Sequence, residues 1–405
     1  MAAIIELIQG GSVTSAKGFS GGATYAGLKT LDDDTLDLGI LLSELPATVA
    51  GMFSTNRVIS PSVTLTKQRV ANGSARAVVA NSGCANCCVG DQGLRDAEQM
   101  ASLAAGHIGV AADDVLVCST GLIGVELPMA LIRQNIGNVQ FDEDGGHQFA
   151  RAIMTTDARP KEIAVSVDVS GRRVTLGGTA KGVGMIHPNM ATMLCFVASD
   201  AAVEPGFLRR ALRESAEVSF NMIDVDSDQS TNDTLLVLAN GAAGGEEIQG
   251  GSASGVAFQE ALTYVCTSLA KEMVRDGEGA QRLIEVIVDG AHSLGDARTA
   301  ARDIASSMLV KAMVHGRDPN WGRVMMALGK SGIEFDESQV DLYINDIHIV
   351  HAGKAFPYLK DAVISSMSGQ DVQFRVSVNV GDFSATAWGC DLTEEYVTFN
   401  SAYST

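Results

Sequence analysis

A hydroxyl that attacks a carbonyl needs a base, a fixed direction of approach and donors for the oxyanion it creates. Residues 181–196, KGVGMIHPNMATMLCF, offer such a hydroxyl. Gly182, Gly184 and Pro188 precede the small Ala191 and then Thr192, and the apolar residues 193–198 follow at once. A threonine hydroxyl is inert near neutral pH without a base, whereas a free α-amino group titrates near pH ~8 and lies within reach of its own Oγ. An N→O acyl shift that breaks the bond between Ala191 and Thr192 would create that amino group. Ala191 leaves its carbonyl open to approach, and β-branching restricts the rotamers of Thr192 and so aims Oγ. Ala-Thr is a common dipeptide, so on these residues alone a plain strand start and a self-cleaving nucleophile both stay open.

A second stretch, VLVCSTGLIG at 115–124, places Thr120 and Gly121 at the end of an apolar run. A hydroxyl beside an unhindered backbone N–H suits an oxyanion hole; a strand-to-helix turn with Ser or Thr as cap is the alternative. Thr155 and Thr156 stand at a helix-to-strand junction, and Glu278 is flanked by glycines after a long amphipathic helix.

Other chemistries find less support. Cys84, Cys87 and Cys88 lack a second Cys or His pair at zinc spacing, and His348 and His351, three apart in a β-like run, are expected on opposite faces, so no metal is expected. Asp224, Asp226 and Asp228 resemble the start of a calcium loop, but Gln229 and Leu235 stand where Gly and Glu are required; a solvated acidic turn or capping cluster is expected there. There is no phosphate-binding G-x-x-x-x-G-K-[ST] loop. Cys195 is expected to pack within its strand.

The elements that must position these residues read as a mixture. Strands are expected at 75–83, 115–119, about 194–199 and 234–239, with several short β-like runs over 36–66 and a hairpin turning at Ser170-Gly171. Helices are expected over 93–109, 127–136, 205–220, the long amphipathic stretch near 258–275, and 299–316. The C-terminal third reads mostly as β. With 405 residues, 46% apolar content and 43 glycines, a large globular core with many tight turns is expected. The net charge of −19 argues against nucleic-acid or anionic-membrane partners. No apolar run reaches the ~18–20 residues needed to span a bilayer. Seven cysteines, an odd number with three clustered and four scattered, suit a reducing, cytoplasmic setting. There is no linker near residue 191, so a cut there would leave two co-folded fragments, 1–191 and 192–405, rather than two independent domains.

The chain also carries GMFSTNRV (51–58), NSGxAN (81–86), STGLIG (119–124), TTDxxPK (155–161), KGxGMIxPNMATML (181–194), DGEGA (276–280), DPNWGR (318–323) and GCDLTEEYVxxN (389–400). With these motifs it resembles the ornithine acetyltransferase (glutamate N-acetyltransferase) family of arginine biosynthesis over nearly its whole length. The resemblance implies an α/β fold of stacked mixed sheets flanked by helices, related to self-processing aminopeptidases and N-terminal-nucleophile hydrolases. It implies self-cleavage between Ala191 and Thr192, and association of two cleaved pairs as a heterotetramer. It implies an acetyl ester on Thr192, an oxyanion hole of Thr120 and Gly121, and substrate contacts from Thr155, Lys181, Thr192, Glu278, Asn400 and Thr405. The implied substrates are N-acetylornithine and glutamate. No cofactor is implied, although acetyl-CoA is a co-substrate of the bifunctional version. An amidohydrolase or aminopeptidase with the same nucleophile is the rival reaction class.

Overall fold

Two mixed sheets, with helices between and outside them, carry the site. The computed structural model describes residues 4–29, 35–187 and 193–402; Ala191, Thr192 and Thr405 lie outside the described residues. The first sheet comprises β1 (Ile5–Leu7), β2 (Phe19–Thr24), β3 (Leu38–Phe53), β4 (Ser74–Asn81), β5 (Val115–Ser119), β6 (Lys161–Val169), β7 (Arg172–Lys181), β8 (Leu194–Ser199) and, after β9 (Ile223–Asp224) of the other sheet, β10 (Thr234–Ala239). Its order is β1-β6-β7-β8-β10-β3-β4-β5, with β2 on β3. The second sheet joins β9 to β11 (Leu283–Ala291), β12 (Asp341–Ile344), β13 (Ile347–His351), β14 (Lys354–Ala355), β15 (Asp371–Ser377) and β16 (Phe383–Cys390), in the order β14-β13-β12-β15-β11-β16-β9.

The helices are α1 (Pro61–Val70), α2 (Gln92–Ile108), α3 (Met129–Asn135), α4 (Gly146–Ala152), α5 (Pro205–Glu217), α6 (Ala253–Arg275), α7 (Leu294–Ala305), α8 (Met308–Gly316), α9 (Trp321–Lys330), α10 (Lys360–Ser366) and α11 (Glu394–Ala402). The long α6 packs on β6 and β7 of one sheet and on β16 and β9 of the other, so it is shared by both layers. Residues of β8 alternate accordingly. Cys195 and Val197 join the core formed with α5 and α6, while Leu194, Phe196 and Ala198 face the opposite core beside Phe149 of α4. Both faces are buried, which is why this strand reads as a continuous apolar run. Cys195 is a packing residue, as expected; burial pushes its thiol well above the ordinary range.

Several expectations hold in detail. α2 ends at Gly109 with φ 74°, the left-handed conformation that glycine adopts freely. The β6–β7 hairpin turns at Ser170 (φ 55°) and Gly171 (φ 79°), two positive values that match the twist of the flanking strands. α5 starts with Pro205 after Glu204, whose carboxylate accepts from the N–H groups of Gly206 and Phe207.

Others are corrected. The short β-like runs of 36–66 merge into the sixteen-residue β3, which bridges a register shift between Leu42 and Ala47. The end of that stretch is helix α1, capped by Ser60 with Pro61 in its first turn. The helix expected over 299–316 is two helices, α7 and α8, because Ser306 ends one turn and Ser307 takes extended dihedrals; serine competes with the helical backbone for hydrogen bonds. The histidines expected on opposite faces of a strand share one face. A shift in the β12–β13 register between Leu342↔Val350 and Tyr343↔His348 inserts one extra residue, and the rings of His348 and His351 lie 5.4 Å apart.

Candidate active site

The cleft is assembled from strand ends. β5 and β7 run through the first sheet and finish at its lip, delivering Thr120 and Lys181 there. Thr120 is pinned through its own N–H to Asn81 O (3.0 Å), and Leu122 N–H donates to Gly83 O (3.0 Å), so the turn between them is locked on both sides. Gly121 between them has φ 127°, and a Cβ there would lie 2.3 Å from the carbonyl carbon of Gly83. Only glycine fits this turn.

Lys181 is buried, and its Nζ donates to Thr120 Oγ1 (3.2 Å). A hydroxyl that accepts from an amine keeps its own proton for another acceptor. Thr120 is therefore set up to donate into the cleft. Burial lowers the pKa of Lys181, and the carboxylate of Asp157 works in the opposite direction.

Below this pair lies a buried charge network. Lys161 at the start of β6 is fully buried; it pairs with Asp157 and with Asp276 Oδ2 (2.6 Å). Asp157 also accepts from the N–H groups of Thr155 (3.0 Å) and Gly182 (3.0 Å). Burial alone would raise the Asp157 carboxyl; Lys161 and Lys181 outweigh it and hold the group below the ordinary carboxylate range. The network ties the 155–157 turn, the end of β7 and the end of α6 into one unit.

Glu278 forms the opposite wall. Its N–H donates to Val183 O (2.9 Å), and its carboxylate accepts from Thr156 Oγ1 (2.8 Å) and Asn400 Nδ2 (2.8 Å) of α11. A Cβ on Gly184 would lie 2.6 Å from that carboxyl group, so the glycine allows the loop to pass against it. Thr155 and Thr156 both line the cleft, together with Thr120, Gly121, Lys181, Glu278 and Asn400. Besides Asn400, the side chain that holds Glu278 is Thr156, a role the sequence reading did not assign.

The loop from Lys181 towards residue 187 is fastened by acids whose role is not a solvated turn. Asp226 accepts from the N–H groups of Met185 (2.5 Å) and Ile186 (2.9 Å). Asp224 is buried and pairs with His187 Nδ1 (3.0 Å) and with Lys311 Nζ (3.1 Å). Of the two expected alternatives, the solvated turn fits the exposed Asp228 and is corrected for Asp224 and Asp226, while the capping role is taken by Asp226. These side chains are drawn inwards because Lys311 is itself buried and also donates to the carbonyls of Asp224, Val225 and Cys390. Asp226 is reached as well by Tyr396 OH (3.3 Å), and its carboxyl is raised by burial despite those backbone donors. On the far side of residues 188–192, Met193 N–H donates to Asp233 Oδ1 (2.9 Å), and Thr234 N–H to Met193 O (2.9 Å). Burial drives the Asp233 carboxyl well above its ordinary value, and its Oδ2 has no hydrogen-bond partner among the described residues. Both flanks of the Ala191–Thr192 bond are therefore held by buried carboxyl groups. Sequence reasoning missed Asp233 and also Asn232, whose Nδ2 bridges Ala85 O (2.6 Å) and Ser119 O (2.7 Å). Their only signal was polarity just ahead of an apolar strand.

Of the clustered cysteines, Cys84 and Cys87 are buried and Cys88 is exposed. Cys84 forms backbone bridges with Thr120 and Leu122, so it backs the Thr120–Gly121 turn.

With this geometry in hand, comparison with known proteins decides the family. The ArgJ sequence model matches residues 20–405. The chain belongs to the ArgJ family. The "Arginine biosynthesis bifunctional protein ArgJ" of Dehalococcoides mccartyi (strain CBDB1) is 46% identical over 405 residues, the whole of both chains. Its namesake from Symbiobacterium thermophilum is 49% identical over 397 residues, 98% of this chain and 99% of the relative. The solved structure of the ArgJ protein from Bacillus halodurans is 37% identical, with a TM-score of 0.51, and covers 51% of this chain and 98% of its own. The two mixed sheets and their helices are thus an ArgJ-family α/β fold, and the protein is an acetyltransferase of that family.

Proposed function

We propose that this chain moves an acetyl group from N2-acetyl-L-ornithine to L-glutamate through an ester on Thr192, after cutting itself between Ala191 and Thr192. The observation that carries the reading is the Lys181–Thr120 hydrogen bond at the lip of the cleft, because it leaves the Thr120 O–H free to donate beside Gly121. In the first half-reaction the α-amino group of Thr192 takes the Oγ proton as Oγ attacks the acetyl carbonyl. Thr120 O–H and Gly121 N–H hold the oxyanion. The C–N bond breaks, and the proton passes to the departing ornithine amine. In the second half-reaction the glutamate amine attacks the ester carbonyl, Oγ leaves and recovers its proton, and N-acetylglutamate departs. Thr155, Lys181, Glu278, Asn400 and Thr405 are assigned to holding the amino-acid substrates. Lys181 suits a carboxylate and Glu278 an ammonium group.

Self-cleavage yields fragments 1–191 and 192–405. The Bacillus halodurans chain supports this reading: 51% of the present chain accounts for 98% of it, so that polypeptide is about half as long. Two cleaved pairs are assigned to a heterotetramer in the cytoplasm; no described helix is long and apolar enough to cross a membrane. The word "bifunctional" in the relatives' names favours a second donor, acetyl-CoA, for the same Thr192 ester.

Intact mass after incubation with N-acetylornithine alone tests the chemistry. Two fragments, the C-terminal one carrying a single acetyl group that glutamate removes, are expected; a single uncut and unmodified chain in active protein overturns it. Net hydrolysis independent of glutamate would instead identify an amidohydrolase. Acetylation of glutamate with acetyl-CoA as sole donor separates the bifunctional from the monofunctional enzyme.

A further inference from the structure

At the far end of the second sheet, Asp341 of β12 and His348 and His351 of β13 converge. One ligand-type atom from each lies within 4.8 Å of the other two. Asp341 Oδ1 stands 2.8 Å from His351 Nδ1 and 3.5 Å from His348 Nε2. A tetrahedral zinc ion with N and O bonds of 2.0–2.2 Å sets neighbouring ligand atoms about 3.4 Å apart, so the two separations from Asp341 Oδ1 bracket what such an ion requires. His348 Nε2 is buried and has no hydrogen-bond partner among the described residues. A buried ring nitrogen left unpaired beside a carboxylate calls for an explanation, and an ion seated between the two supplies one.

The ligands are also preorganised. The His348 ring is stacked between Tyr343 (centroids 4.3 Å apart) and Phe356 (4.8 Å), which fixes its plane. Asp341 Oδ1 accepts from Ala352 N–H (3.1 Å), a contact that orients the carboxylate. The hairpin turns at Asn345 (φ 44°) and Asp346 (φ 63°), and the extra residue in β13 brings both imidazoles to the carboxylate's side.

We propose that Asp341, His348 and His351 form a site for one divalent transition ion of the zinc class, which clips β12 to β13. Two imidazoles and one carboxylate select such an ion over magnesium or calcium, which prefer oxygen. Binding replaces the Asp341–His351 hydrogen bond with coordinate bonds; His351 binds through Nδ1 as the neutral imidazole with its proton on Nε2, and a fourth position is left for water. Five strand spacings separate β13 from β9, about 24 Å, so the ion braces the sheet edge and takes no part in acyl transfer.

The test uses the full chain carrying Cys88→Ser, which removes the exposed thiol as a competing ligand. Metal-free protein is titrated with Zn2+ by calorimetry, and Co2+ is added in a parallel sample as a spectroscopic probe. One Zn2+ per chain and a visible Co2+ absorption band are expected. His351→Gln and Asp341→Asn should each weaken Zn2+ binding at least tenfold and abolish the band, with acetyl transfer unchanged. His351 is exposed, so its replacement leaves the fold intact. No stoichiometric Zn2+ uptake, or parent-like uptake by both variants, overturns the site.

Discussion

Thr120 is defined by its neighbours more than by its own chemistry. Lys181 fills the acceptor side of its hydroxyl, and the turn through Gly121 allows no side chain there. Thr120→Ala is expected to lower turnover by about 10²–10³-fold, the usual cost of one oxyanion donor, while Thr120→Ser should retain most of it; steady-state kinetics with N-acetylornithine and glutamate read the difference. Asp157 makes a different prediction. Its carboxyl is held below its ordinary value of 3.8, so its stabilising contribution is in place above that value and is lost as pH falls through the lower folded value. Chemical unfolding followed from neutral pH into the acid range should show stability falling below pH 3.8, with a flatter acid limb in Asp157→Asn. The same variant should be less stable at neutral pH, because Lys161 is left with Asp276 alone.

At the scale of elements, long periodic segments were legible and short or interrupted ones were not. α2 announced itself by apolar spacing and by Gly109, and the β6–β7 hairpin by Ser-Gly. α1 did not, because its ten residues are rich in Ser and Thr and their burial depends on β5 beneath: Thr66 Oγ1 donates to Val117 O and accepts from Val117 N–H. The bulge in β13 was equally hidden, since one extra residue leaves no mark on the hydrophobic pattern. α2 offers a clean test of propensity. Gly106 lies exposed within it, and a Cβ there would meet nothing within 4 Å. Gly106→Ala should stabilise the protein by about 1 kcal/mol, with activity unchanged, as measured by the shift in the denaturation midpoint.

For the molecule as a whole, the decisive fact is where the segment after residue 192 goes. β8 and β10 lie side by side in the middle of the first sheet, with β7 on one flank and β3 on the other. A cut between Ala191 and Thr192 therefore leaves fragment 1–191 with seven of the nine strands in two separate blocks and takes β8 and β10 into the other fragment, so both expose strand edges if they separate. The two fragments are expected to co-elute on gel filtration without denaturant and to part only when the protein unfolds. Separate elution of folded fragments under native conditions would contradict this.

The sequence by itself determined the family, the Ala191-Thr192 pair as the point of interest, and the residues grouped around it, because each resides in a short contiguous motif. Tertiary structure alone decided what those residues touch. Thr156 rather than Thr155 holds Glu278, and Lys181 supports Thr120 while facing the cleft. Asp224 and Asp226, expected in a solvated turn or capping cluster, are fasteners for the loop that leads towards Ala191 and Thr192. The physical reason is the same in each case. A hydrogen bond or ion pair is chosen by proximity between segments far apart in the chain, such as Asn400 and Glu278, or Lys311 and Asp224. Local pattern carries information about burial and backbone conformation, but none about which distant partner will arrive.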